Sequence, residues 1–593
     1  MGLIRTKSEK VKKESTGGFY SIAYRGFRPI GELILKIYPN LPVDLNKADV
    51  RVYPLAYASG IGMIIILVFL SSFGTILLLK TMFGGAVPKT IMLILLVIPI
   101  PVSIIALCMP KILKSNKIKA LDNEAPFAAA YISVMSTGGI SPYKSMKRLS
   151  KVPLLPNLAK VSKYITFNVS LFGIDPLTAI EKASDNIPSK VYAELLKGYV
   201  STVRTGGDFV HYLLRKTELM FKERIGYLKI IGDRLGIAME GYISATVLLG
   251  LGIYAIFITN AAIPMPMPMF TQGTFFLFSY VLSPMISVVF LYLGDMLQPS
   301  YPESNWKPYI AYAISMPIGA IVLVLSLLIP NFPLNILVRW LTSELNLGYG
   351  AIIPVTLGLV LIIFTLPAAI IHRKEESKKR IIEENLASFL RDLVEIRKAG
   401  LPPEKCISNL KKRDYKLFSP LVKRLSAQIE WGLPAKKILE DFFKNVNSWL
   451  AKMMMFLLID AIDVGGGTPT TMESMASYTE MMNEVEKEKR QQMKPLLLVP
   501  YIGALVLVGS SIVLLGFMKG VLEIARVGIA YEDFFRLFIT PLVLNTYMMG
   551  LVSGKIGEAK VSAGFKHAVL LTLVTLIAIL FVPSIRFQFA PVS

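Results

Sequence analysis

The sequence predicts an all-α fold: a polytopic helical membrane protein with about nine transmembrane helices and two homologous cytoplasmic helical-bundle domains. Hydrophobic residues make up 53% of the 593-residue chain and are concentrated in long runs. The mean hydropathy of +0.55 is far above that of a soluble protein. Two polar, basic stretches interrupt the apolar runs and share one pattern of turn residues. Together these observations indicate a membrane protein that carries one soluble domain twice.

Nine apolar runs are long enough to cross a bilayer, which takes about 20 residues. They lie near 55–79, 90–110, 241–260, 274–294, 309–330, 350–371, 496–518, 534–553 and 568–583. The predicted segments are a basic cytoplasmic amino-terminal segment (1–54), two transmembrane helices (55–110), a first helical domain (111–239), four transmembrane helices (240–371), a second helical domain (372–495), and three transmembrane helices with a short external carboxyl terminus (496–593). We call 111–239 the first module and 372–495 the second module.

Turn residues keep nearly the same spacing in the two modules. The matched glycines are Gly139 and Gly400, Gly173 and Gly432, and Gly207 and Gly467, at separations of 261, 259 and 260 residues. Pro142 and Pro403 follow the first pair. A glycine past a helical run supplies the left-handed residue that ends a helix, and a proline shortly after it can start the next one. The shared register indicates an internal repeat.

Periodicity and caps predict the helices inside each module. Apolar residues recur at helical spacing before Gly400, namely Leu386, Phe389, Leu390, Leu393 and Val394. Ser141, Asp175 and Thr468 each precede a proline, which is the pattern of an N-cap followed by the first helical position. Each module is therefore predicted to be a bundle of short antiparallel helices that leads into a longer one.

The placement of Lys and Arg predicts the orientation. Both modules and most other basic residues fall on the same side of the predicted spans as the amino terminus, so the positive-inside rule places them in the cytoplasm and the carboxyl terminus outside. We therefore expect a multi-pass protein of the cell membrane. The first apolar run begins too late for a secretory signal, so no cleaved targeting peptide is expected. Cys108 and Cys406 are expected to be unpaired.

The net charge of +23 indicates that the protein contacts an acidic partner or an anionic membrane surface. Three basic clusters are candidates: Lys144, Lys147 and Arg148; Lys411, Lys412 and Arg413; and Lys487, Lys489 and Arg490. Two interpretations stay open, because such clusters can lie over anionic headgroups as a solvated face or can dock an acidic face of a cytosolic protein. Nucleic acid is a poor third partner, since no recognition motif accompanies the charge.

The sequence contains no convincing catalytic set. His211, His372 and His567 each lack a second ligand at metal spacing. Asp460 and Asp463 lie one turn apart, but a helix face beside basic neighbours explains them as well as a catalytic pair does. We therefore predict no catalytic, cofactor-binding or metal-binding residue and no enzyme activity.

A polytopic transporter with regulatory cytoplasmic domains is the alternative function. Transporters usually keep ionisable residues inside their spans. Here Glu240, Asp295 and Arg536 lie only at span ends. The sequence therefore favours a docking protein over a transporter.

The repeated order of turns, charged helix and membrane span resembles the type II secretion F domain of membrane platform proteins. The closest stretches are Leu393–Pro403, Trp431–Ala435 and Gly465–Thr468. The additional spans and the basic amino-terminal extension are similar to the archaeal branch of this family, which serves archaella and archaeal type IV pili.

This resemblance implies a platform at the base of a filament. It implies binding of a cytoplasmic hexameric secretion or assembly ATPase and transfer of pilin or archaellin subunits from the lipid bilayer into the fibre. A homodimer is the assembly that we expect at the base of a filament, although the sequence itself does not fix the oligomeric state. The three basic clusters are then candidate ATPase-docking residues. The charged helices Glu218–Arg234 and Glu473–Lys494 would carry motion into the spans. The sequence leaves open which filament is built and which module contacts the ATPase.

Overall fold

The computed structural model describes residues 2–50, 52–83, 99–262, 275–299, 301, 305–345, 347–465, 467–525, 531–580 and 582. Within these ranges every regular element is helical, which confirms the predicted all-α class. The chain divides into two compact units, each formed by two segments. The first unit is Met1–Ala129 with Pro142–Leu213, and the second is Ala130–Ser141 with Leu214–Ser593.

The first unit contains the amino-terminal helices and the short helices of the first module. They are α1 (Gly2–Ile37), α2 (Leu41–Lys47), α3 (Pro54–Phe83), most of α4 (Pro99–Thr137), α5 (Pro142–Leu149), α6 (Pro156–Phe172), α7 (Pro176–Asn186) and α8 (Lys190–Arg204). Leu41, Leu45 and Tyr57 belong to the apolar cluster between α1, α2 and α3. Lys114 Nζ lies 2.6 Å from Asp44 Oδ1 and ties α4 to α2.

The second unit contains most of the predicted spans and the second module. α9 (Phe209–Ile243), which belongs to this unit from Leu214 onwards, passes through a π-helical segment (Ser244–Leu248) into α10 (Leu249–Ala262). A second π-helical segment (Leu277–Leu282) leads into α11. The remaining helices are α11 (Ser283–Leu297), α12 (Lys307–Leu328), α13 (Pro333–Glu344), α14 (Ile352–Lys398), α15 (Pro403–Leu410), α16 (Ser419–Glu430), α17 (Ala435–Asn445), α18 (Trp449–Asp463), α19 (Pro469–Met493), α20 (Leu498–Ala525), α21 (Tyr531–Glu558) and α22 (Val561–Leu580).

Eight stretches within the described ranges are long and apolar enough to span a membrane. They are Pro54–Leu77, Phe209–Phe257, Leu277–Leu297, Lys307–Leu328, Tyr349–Lys398, Pro469–Gly520, Tyr531–Glu558 and Val561–Leu580. Each contains or overlaps one of the nine predicted runs. The remaining run, 90–110, lies partly outside the described residues, and its described part opens α4 at Pro99. The chain is thus a multi-pass membrane protein.

The short helices of the two modules follow the same order and are fixed in the same way. Ser189 begins α8, and Ser448, 259 residues later, begins α18. Each hydroxyl accepts a backbone N–H three residues on, at 3.2 Å from Tyr192 and 3.0 Å from Ala451. Each also donates to a carboxylate of a long helix, Asp122 at 2.5 Å in the first module and Glu383 at 2.6 Å in the second. The N-cap is therefore also a tie between helices.

Small residues allow α21 and α22 to approach at backbone distance. Gly550 and Gly554 lie one turn apart on α21 and face Ala568 and Gly564 on α22. A Cβ atom added at either α21 glycine would overlap backbone atoms of α22. This is the small-xxx-small pattern by which membrane helices pack closely without a hydrophobic driving force. Residues of both helices belong to the second unit's apolar core, and 78% of the most apolar stretch of α21 is buried, the largest share among the eight spans.

We predict that Gly554→Ala destabilises the protein by about 2 kcal/mol, because the added methyl group must push the α22 backbone away. The measurement is the thermal unfolding temperature of the full-length protein in detergent. Gly509→Ala is the matched control, since Gly509 lies inside α20 with no other atom within 4 Å of its added Cβ. That variant should unfold at or slightly above the wild-type temperature. Equal effects of the two substitutions would contradict the close approach.

Candidate docking surface

Left-handed glycines end the module helices. Six glycines at module turns have positive φ: Gly139, Gly173, Gly206, Gly400, Gly432 and Gly465. In the third matched pair the left-handed residues are therefore Gly206, one residue before the predicted Gly207, and Gly465, two residues before the predicted Gly467. Gly467 has a different reason to be small, because a Cβ there would lie 2.6 Å from Cγ of Pro403. Pro142 and Pro403 are the first residues of α5 and α15, as predicted.

Lys411 is held by an ion pair to the last residue of α16. Its Nζ lies 2.8 Å from Oε1 of Glu430. Ser426 donates to the same carboxylate oxygen at 3.0 Å, and Ser408 donates to it as well. The hydrogen bond from Lys411, aided by those from the two hydroxyls, lowers the pKa of Glu430 to about 2. This pair joins the carboxyl ends of α15 and α16.

The same pair brings an exposed cation and an exposed aromatic ring to one place. Lys412 follows Lys411, and its side chain is exposed. Trp431 follows Glu430 and is 78% exposed. Large apolar side chains exposed beside charges are typical of protein contact sites. We call Lys411, Lys412, Glu430 and Trp431 the docking patch.

Arg413 is anchored within the second module. Its Nη1 lies 2.9 Å from Oδ1 of Asp392 on α14. The Tyr415 hydroxyl donates to the other oxygen of Asp392 at 2.6 Å. Burial, together with this hydrogen bond, raises the pKa of Tyr415 above its ordinary value. Of the predicted cluster 411–413, Lys412 is thus the member with no ion pair to any residue that the structure describes.

The cluster at the end of α19 makes internal contacts. Lys489 Nζ lies 3.9 Å from Glu486 and 5.1 Å from the ring centre of Tyr301. Arg490 lies 3.5 Å from Glu383 on α14. Lys487 is exposed. Of these three predicted docking cations, Arg490 therefore ties α19 to α14, and Lys489 contacts the segment that follows α11.

The first module presents its predicted cluster on α5. Lys144 and Lys147 are exposed there, and Arg148 is half-buried. At the turn after α6, Phe172 is 66% exposed, and it precedes Trp431 by 259 residues. Both modules thus expose an aromatic ring at the equivalent turn. The residue equivalent to Glu430 is Leu171, which is also 66% exposed, so the first module lacks the ion pair.

Several acidic residues have structural roles that sequence reasoning missed. Asp460 accepts a hydrogen bond at 2.5 Å from Tyr131, a buried tyrosine of α4. Glu124 accepts from the backbone N–H groups of Asn157 and Leu158 at 3.0 and 2.8 Å and caps α6. The sequence signal for such a role is an acidic residue among apolar helix positions.

The three histidines lie apart from one another along the chain. His211 is exposed. His372 Nε2 lies 3.4 Å from Glu558, and the Tyr501 hydroxyl lies 2.7 Å from His567 Nδ1. Across the part of the chain that the structure describes, no group of three or more His, Cys, Asp or Glu residues could hold a metal ion.

The two modules also match a known family. The model of the family described as type II secretion system, protein F, matches the chain twice, at residues 128–257 and 389–516. The chain carries two type II secretion F domains. Proteins of this family form the membrane platform of type II secretion and type IV pilus systems, and they are structural components rather than enzymes.

The similarity to one relative extends beyond the F domains. An uncharacterized protein of Methanocaldococcus jannaschii is 21% identical over 508 residues, which cover 80% of this chain and 82% of that relative. No solved structure matches the chain.

We predict that Glu430 makes the stability of the second F domain depend on pH. Because the pKa of Glu430 is lowered from 4.5 to about 2, its stabilising contribution is complete above about pH 4.5 and is lost as the pH falls towards 2. The unfolding temperatures of wild type and Glu430→Gln should therefore differ most at neutral pH and converge on acidification.

Glu404→Gln is the control for this comparison, since Glu404 is exposed on α15 and makes no ion pair with a described residue. Its difference from wild type should stay small at every pH. A gap between wild type and Glu430→Gln that is independent of pH would contradict the role of the Lys411 pair.

Proposed function

We propose that the protein is the membrane platform of a type IV pilus-like or archaellum filament assembly machine. In this proposal a cytoplasmic hexameric assembly ATPase docks on the second F domain, and the spans move pilin or archaellin subunits between the membrane and the filament. The family match supports the platform role. The observation that carries the coupling is the continuity of helices from the F domains into apolar spans.

The second F domain is connected to the membrane by two long helices. α14 runs for 47 residues from a span into the F domain, which is about 70 Å at 1.5 Å per residue. α19 leads through a 3₁₀ turn, Pro495–Leu497, into the span of α20. A displacement of the domain by the ATPase would therefore act directly on both spans.

Ion pairs hold these two helices side by side. Arg391 on α14 lies 2.7 Å from Glu480 on α19, and Lys398 lies 2.5 Å from Glu473. Each pair is exposed and contributes only up to about 1 kcal/mol. Their position along the shared length of the helices favours movement of α14 and α19 as one body. The basic residues on the module side support a cytoplasmic position of both F domains under the positive-inside rule.

We predict that Lys412→Glu weakens ATPase binding several-fold at low salt, and that the difference shrinks at high salt because exposed charges are screened. This substitution is preferable to reversing the charges of Lys411 or Arg413, which would also break pairs inside the domain. The measurement is retention of the host's hexameric ATPase by the immobilised full-length protein in detergent. Lys436→Glu, at an exposed position on α17, is the control of equal charge change.

We predict that Trp431→Ala weakens ATPase binding by roughly 2 kcal/mol, about thirtyfold, and stops filament assembly in cells, because exposed tryptophans often dominate contact energy. Tyr349→Ala is the control, since Tyr349 is 84% exposed beside the opposite end of α14. Membrane insertion of both variants should match wild type.

Unaltered ATPase retention by both Lys412→Glu and Trp431→Ala would contradict docking at this patch. Substrate-dependent flux through the purified protein in liposomes would instead support the alternative of a transporter.

A further inference from the structure

A cavity of about 440 Å³ opens in the second unit where its helices change from apolar to charged sequence. Four stretches meet there: the middle of α14 at His372, the turn between α19 and α20, the turn between α21 and α22, and the end of α11 at Pro299. Each borders a predicted membrane span. The cavity therefore lies at the level at which lipid headgroups meet the protein.

The cavity wall has a large excess of positive charge. Eight Lys and Arg residues line it, against three glutamates. Each glutamate already has a cationic or histidine neighbour: Glu376 lies 3.0 Å from Lys560, Glu558 lies 3.4 Å from His372, and Glu486 lies 3.9 Å from Lys489. Lys566 also pairs with Glu558 of the wall. Three further lining cations pair with glutamates of α14 outside the wall, namely Lys379 and Arg490 with Glu383 and Arg380 with Glu384.

Two of the lining cations are open to a ligand. Arg373 and Lys494 are exposed, and neither makes an ion pair with any residue in the described ranges. A guanidinium group can bind a phosphate through two parallel hydrogen bonds, while an ammonium group acts as a compact point charge. Together they provide the donor set typical of a phosphate site.

The cavity lining also contains an unpartnered carboxylate oxygen and an apolar surface, neither of which would contact a simple inorganic anion. Glu486 Oε1 is buried and has no hydrogen-bond partner among the described residues. Lys489, at 3.9 Å, is too distant to serve as one. Met493 and Leu497 supply apolar lining on the side of the spans. A ligand that combines a phosphate, a neighbouring hydroxyl or ammonium donor and an apolar tail could contact the two cations, the Glu486 carboxylate and the apolar lining at the same time.

We propose that this cavity binds a phosphate group carried by an anionic molecule with a neighbouring hydrogen-bond donor. Arg373 and Lys494 hold the phosphate, and Glu486 accepts the donor. A membrane phospholipid headgroup and a soluble phosphate compound share this chemistry. The volume lies within the range of small-ligand sites.

The test is a titration of the full-length protein in detergent with short-chain phosphatidylglycerol, followed by native mass spectrometry. The variant is Arg373→Gln with Lys494→Gln. Because a cation near the membrane contributes about fivefold to anion attraction, the double variant should bind roughly 25-fold more weakly. Lys423→Gln with Lys436→Gln removes two exposed charges elsewhere in the second F domain and should bind as wild type does.

Further ligands separate the sources and the donor. Phosphatidylmethanol has the same charge as phosphatidylglycerol but no hydroxyl donor. Wild type should therefore bind phosphatidylmethanol more weakly than phosphatidylglycerol, whereas Glu486→Gln should bind the two lipids with equal affinity. If millimolar inorganic phosphate displaces phosphatidylglycerol, the site takes soluble phosphate; if it does not, the site takes the lipid. Either result supports phosphate binding.

Three results would overturn the inference: wild-type affinity in the Arg373 and Lys494 double variant, equal loss in both double variants, or equal affinity for phosphatidylcholine. No ATPase or pilin is present in these measurements. The outcome is therefore independent of the proposed filament function.

Discussion

The backbone contact between α21 and α22 is the constraint on which the membrane part of the second unit depends. Hydrocarbon gives no hydrophobic reward for pairing two apolar helices, so close pairing must come from van der Waals contact. Gly550, Gly554 and Gly564 make that contact available by leaving no side chain in the gap. α20 and α14 pack around this pair in the same core. The long helices that leave the membrane therefore start from a firmly packed base.

Much of this arrangement could be predicted from the sequence, because long apolar runs mark the spans and glycines mark the helix ends. Eight long apolar runs and the glycine turns at Gly139, Gly173, Gly400 and Gly432 coincide with helices and helix ends in the structure. The left-handed residues of the third turn were displaced by one or two positions. In a glycine-rich turn, spacing alone does not say which glycine changes conformation and which avoids a neighbour, as Gly467 avoids Pro403.

Side-chain partners were beyond the reach of the sequence because they join distant positions. The sequence shows three adjacent cations at 411–413, but in the structure Lys411 pairs with Glu430 and Arg413 pairs with Asp392, so these two side chains stabilise the module itself. Lys412 and Trp431 remain as the exposed contact groups. The same reasoning applies to Lys489, which lies over the ring of Tyr301 after α11, and to Arg490, whose partner Glu383 is on α14. Charge counting finds basic regions, but only the fold shows which charges are already used.

The π-helical segment at Ser244–Leu248 has a geometric consequence for the first F domain. A π turn holds one more residue than an α turn, and each residue turns a helix by about 100°. The side-chain stripe of α9 therefore does not continue along the same face of α10. The residues of α9, before the segment, can therefore fit the helical bundle, and those of α10, after it, can fit the lipid, because the two helices do not have to present the same face. α14, which has no such segment, keeps a single register from the span to the second F domain.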